Sequence, residues 1–109
     1  MDQQVTIEGT VSKFLLMNPH TWIEVVAPDQ ARVPQTWSVE WNAAGILGSR
    51  GVNRDTLKPG DEVTITMSPG KSQAEHRGLL RIIRRPADGF EWGTKPGEVP
   101  VDWLGVEQK

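Results

Sequence analysis

Short runs in which apolar and polar residues alternate recur along this chain, and a period of two belongs to half-buried strands, not to helices. Val5, Ile7, Gly9 and Val11 alternate with Thr6, Glu8, Thr10 and Ser12. From Thr21 to Ala27, one face carries Trp22, Glu24 and Val26 and the other Ile23 and Val25. Between Gln35 and Trp41, Trp37, Val39 and Trp41 oppose Thr36, Ser38 and Glu40. Glu62 to Met67 commits Val63, Ile65 and Met67 to one side, and Leu79 to Arg84 reads as a fifth strand.

What separates the runs is turn chemistry. Phe14-Leu15-Leu16-Met17 breaks the alternation, which predicts a bulge or a strand changing faces. Asn18-Pro19 forces a turn or a sheet edge, because proline fixes φ and lacks an N–H. Pro28 to Pro34 and Ser68 to His76 are polar loops. Asn42 to Gly48 predicts one or two helical turns capped by Asn42, and Asn53 predicts a second capped turn over Asp55-Thr56-Leu57. Lys58-Pro59-Gly60-Asp61 matches a type II turn, with proline second and glycine third.

Five strands, short helical turns between the third and fourth, and no long helix specify an all-β fold. Nineteen Gly and Pro residues among 109 suit that reading. A closed barrel removes edges that a short chain cannot cover. The expected architecture is therefore a small five-stranded Greek-key barrel of the oligonucleotide/oligosaccharide-binding (OB) type, with a small open β-sandwich as the competing arrangement. Residues 1–85 form the barrel domain. Residues 86–109, with three prolines and four glycines, read as an extended tail packing on the barrel or on a partner. Its Trp92 and Trp103 are anchors or a dimer surface.

The bulk numbers exclude several classes. A formal charge of −2 offers no global field for nucleic acid, so no nucleic-acid partner is expected. No cysteine is present to form disulfides or thiolate metal sites. No apolar stretch reaches the roughly 18 residues of a membrane span. Met1-Asp2-Gln3-Gln4 lacks the charged and apolar regions of a secretory signal.

Four segments in order resemble a family of small bacterial exported proteins of unknown function: Val5-Thr6-Ile7-Glu8-Gly9-Thr10-Val11, Asn18-Pro19-His20-Thr21-Trp22, Gln35-Thr36-Trp37-Ser38-Val39-Glu40, and Arg54 to Thr64. The resemblance covers about residues 5–84. It implies an OB-like barrel in a periplasmic or secreted setting, and it implies no established activity. This chain lacks the His-His-Ser segment common near the start of that family, and Val52 stands where an aromatic is usual.

The Asn-Pro-His-x-Trp segment concentrates the candidate chemistry. His20 offers a hydrogen bond or a metal bond beside the stacking face of Trp22. The competing role is structural, with His20 closing a barrel end and Trp22 in the core. Trp41, at a strand end, is expected to stay partly open, and with Trp37 and Trp22 could line one cleft. His20, Trp22, Trp41 and Arg54 are the expected ligand-binding residues, for a small apolar or aromatic-stacking ligand. A metal needs three converging donors, and His20, His76, Glu24 and Glu40 are a thin supply, so neither metal nor cofactor is expected. Arg77, Arg81, Arg84 and Arg85 form the basic run, assigned to cross-strand salt bridges. No serine has a nucleophile-elbow context, and the loosely spaced Gly45, Gly48 and Gly51 make no phosphate loop. The sequence thus points to a non-enzymatic exported binding or accessory domain. An oligomer assembled through the Trp-bearing tail, or an enzyme working at the His20 cleft, are the alternatives.

Overall fold

The first alternating run becomes β1 (Val5–Leu15), long enough to serve two neighbours. Its first half pairs antiparallel with β4 (Glu62–Pro69), Val5 opposite Met67 through Thr10 opposite Glu62. Its second half pairs antiparallel with β2 (Thr21–Pro28), Thr10 opposite Val26 through Leu15 opposite Trp22. The register slips between Val11 and Lys13. A bulge at Ser12 therefore bends the strand from one partner to the other, earlier than the expected Phe14–Met17 position. The structure is a computed structural model that describes residues 4–70 and 75–93.

Strand β2 pairs with β3 (Pro34–Trp41), and β4 with β5 (Arg77–Arg85), both antiparallel. Parallel pairing of β3 with β5, Ser38 opposite Arg77 through Glu40 opposite Leu79, closes the ring. The order β1-β2-β3-β5-β4 back to β1 is a closed five-stranded Greek-key barrel, and the open sandwich is excluded by that last seam. A further strand, β6 (Phe90–Gly93), hairpins onto β5. It lies in the segment expected as an extended tail. Trp103 lies outside the described residues.

Val63, Ile65 and Met67 turn inward as the alternation predicts, and the ring selects the inward face of the other strands. Ile23, Val25, Trp37, Val39, Val63, Ile65, Met67, Leu80 and Ile83 are all buried. Gly9 sits where β1 crosses β2 at close quarters: a Cβ there would lie 2.4 Å from the Val26 carbonyl oxygen. Only glycine permits that approach.

Between β3 and β4 runs one short helix, α1 (Ala44–Ser49). Its expected cap is corrected. Ala43, not Asn42, holds the N-cap position, and Asn18 supplies the side-chain oxygen, accepting from the Gly45 N–H at 3.3 Å. The Asn53 turn forms as expected, with Asn53 Oδ1 accepting from the Asp55 N–H at 2.8 Å. Gly60, at φ +100°, takes the glycine position of the Lys58–Asp61 turn, whose Asp61 N–H returns to the Lys58 carbonyl.

Candidate functional site

Alternation along β2 and β3 sends Ile23, Val39 and Trp41 inward and leaves Trp22, Ser38 and Glu40 on the outer face. Register then assembles a row across four strands. Leu15 of β1 lies opposite Trp22 of β2, Trp22 opposite Glu40 of β3, and Glu40 opposite Leu79 of β5. Both ends of the row are open apolar side chains: Leu15 is 42% and Leu79 39% exposed. Trp22 and Glu40, between them, are half-buried.

The Leu16–His20 loop sets the mouth of this face. Thr21, fully buried, clamps it by accepting the Met17 N–H and donating to the Met17 carbonyl, each at 3.3 Å. The Met17 carbonyl also receives the Ala44 N–H at 3.0 Å, so the loop is stitched to the start of α1. The chain leaves this loop through a cis Asn18–Pro19 bond and presents His20, whose Nδ1 stands 2.7 Å from Glu40 Oε2. The imidazole is 54% exposed and the carboxylate 30%.

A groove of about 250 Å3 follows the row toward the β3–β5 seam. Trp22, Glu40, Ser68, Glu75, Arg77 and Leu79 are among the residues that line it. The Arg81 guanidinium donates to Ser68 Oγ at 3.3 Å. Arg77, Leu79 and Ser68 were missed by sequence reasoning. They meet Trp22 only because β3 and β5 pair in parallel, a contact across some forty residues that no local pattern announces.

The expected cleft of His20, Trp22, Trp41 and Arg54 is therefore brought together in part. His20 and Trp22 flank Glu40 on one face. Trp41 is corrected from a part-open rim residue to a core residue, 1% exposed, because its strand position shares the parity of Trp37 and Val39. Inside, its ring packs against Phe14 at 6.2 Å and edge-on against Trp92 at 5.2 Å. Trp37 is likewise interior, with His76 edge-on at 4.9 Å. Arg54 is exposed in the turn after Asn53 and does not line the groove.

Elsewhere two arginines of the basic run form local pairs. Arg84 bonds Glu91 of β6 at 2.7 Å. Arg85 bridges Asp61 at 2.7 Å and Asp88 at 2.9 Å and donates to the Thr56 carbonyl. Of the cross-strand salt bridges expected for this run, Arg84–Glu91 joins β5 to β6, while Arg85 pairs with acids of the flanking turns. Among the described residues no three His, Asp or Glu side chains converge as a metal site.

Comparison with known proteins adds three findings. The sequence pattern of a family of unknown function (DUF6152) matches residues 1–80. No curated protein matches. The fold is similar to that of Rim1, a mitochondrial single-stranded DNA binding protein from S. cerevisiae: TM-score 0.56, 7% identity, 77% of this chain and 94% of that one covered. At that identity the likeness is one of fold. It nevertheless overturns the expected exclusion of nucleic acid. That exclusion rested on net charge, and net charge is a sum over the whole surface that does not describe any single face.

Proposed function

We propose that this chain, which belongs to a family of unknown function (DUF6152), is a non-catalytic binding module whose ligand lies in the groove beside Trp22. The observation that carries the proposal is the transverse row Leu15–Trp22–Glu40–Leu79, an aromatic face set between apolar shoulders and a carboxylate. In OB barrels the outer face of the second and third strands, with the loops after the first and fourth, is where extended ligands lie. The groove occupies that part of the barrel. Its Ser68 hydroxyl receives Arg81 rather than a histidine, so among the described residues no nucleophile–base pair is arranged there.

The test is a titration followed by amide and indole NMR shifts, using two probes: uncharged oligosaccharides and a twelve-residue oligothymidylate. Shifts confined to Trp22, residues 38–40 and residues 77–79, and abolished in Trp22→Ala, support the proposal. Binding that Trp22→Ala leaves intact would move the site elsewhere.

A second reading, single-stranded nucleic acid, is favoured by the fold likeness to Rim1. It requires affinity for the oligothymidylate that falls steeply as salt rises, since phosphate contacts release counterions. The exported setting is also part of our proposal, supported by the motif series from Val5 to Thr64. Recovery of the native protein only from the cytosolic fraction would remove it.

A further inference from the structure

We infer that the groove is a carbohydrate subsite for one uncharged pyranose ring, an inference that rests on the binding reading above and names its ligand class. Three observations converge. The indole of Trp22 lies half-buried on the outer face, and a planar aromatic surface of this kind packs against the C–H face of a sugar ring. Directly opposite it in register stands Glu40. His20 occupies one of its carboxylate oxygens, Oε2, at 2.7 Å. The second oxygen is an acceptor with no donor function, matched to the hydroxyls at the edge of a stacked ring. Ser38 and Ser68, which also line the groove, exchange hydrogen bonds with hydroxyls in either direction.

Among the described residues, the charged side chains lining the groove are Glu40, Glu75 and Arg77. A neutral sugar takes the Glu40 carboxylate as an acceptor for its hydroxyls. Arg77 supplies the complementary donors. Size points the same way: a groove of about 250 Å3 lies below the roughly 300–1,000 Å3 that enclose whole drug-sized ligands, so it holds one ring at a time. The exposed Leu15 and Leu79 at either end of the row extend the apolar surface along which neighbouring sugar units continue.

The experiment titrates the intact protein with cellohexaose, chitohexaose, maltohexaose and laminarihexaose, and with the twelve-residue oligothymidylate, by calorimetry and NMR. One or more hexaoses should bind, shifting the Trp22 indole resonance. Trp22→Ala should abolish the binding, and Glu40→Gln should weaken it about tenfold with an unchanged thermal midpoint. If only the oligothymidylate binds, and Trp22→Ala abolishes that, the carbohydrate inference falls while the groove remains the site. If no probe binds, both fall. Hexaose binding indifferent to both substitutions also overturns the inference.

Discussion

Gly9 shows how far one missing side chain determines this barrel. A Cβ at that position would meet the Val26 carbonyl oxygen at 2.4 Å and the Ala27 Cβ at 2.9 Å, and both belong to the strand that β1 crosses. Gly9→Ala should therefore cost about 3 kcal/mol, the upper range for overpacking, read as a lower urea midpoint with an unchanged slope. Asp88 makes a different residue-scale case. Its carboxyl is held below the ordinary range first by the hydrogen bond from Arg85 and then by the Phe90 N–H. A lowered folded-state value means its contribution is complete above about pH 4, the unfolded carboxylate value, and is lost as pH falls through the folded value. Asp29 shares that direction, chiefly through the Val33 N–H and then the Gln35 side chain. Urea midpoints of Asp88→Asn between about pH 2 and 5 should fall less steeply with acid than those of the unaltered protein. Identical slopes would show that the Arg85 pair does not carry the effect.

Helix α1 is six residues long, too short to persist by its own hydrogen bonds, and what holds it is the loop before β2. Asn18 Oδ1 and the Met17 carbonyl receive two of its first backbone N–H groups. Asn18→Ala removes one of those acceptors and should cost about 1 kcal/mol, the usual worth of a capping side chain. Amide exchange at residues 44–47 should accelerate while the amides of β2 and β3 keep their protection. Acceleration spread evenly over the barrel would mean that the loop and helix do not act as one unit. Thr21 gives the same unit its second clamp, which is why His20 is presented at a fixed place beside Glu40.

At the scale of the whole molecule, the barrel interior is finished by β6. Trp92 packs edge-on against Trp41, whose own indole N–H is buried with no hydrogen-bond partner among the described residues. Trp92→Ala removes that packing and opens the core to water at Trp41, so stability should drop by about 2–3 kcal/mol. The Trp41 fluorescence contribution should shift to longer wavelength. A variant as stable as the original would show that the hairpin merely rests on the barrel. Water reaching the unpaired N–H offsets part of the loss, because that donor is unsatisfied in the closed state.

The sequence by itself determined which residues share a face, because a strand allows each side chain only two directions. It determined the turns for a similar reason: proline at 59 and glycine at 60 leave the backbone few alternatives. It misplaced Trp41, treating a position near a strand end as open when parity already assigned it to the core. Only tertiary structure decided that β3 and β5 lie side by side, and so that Arg77 and Leu79 join Trp22 and Glu40 on one face. Pairing between strands distant in sequence is selected by the closure of the entire ring, and no stretch of residues encodes that choice locally.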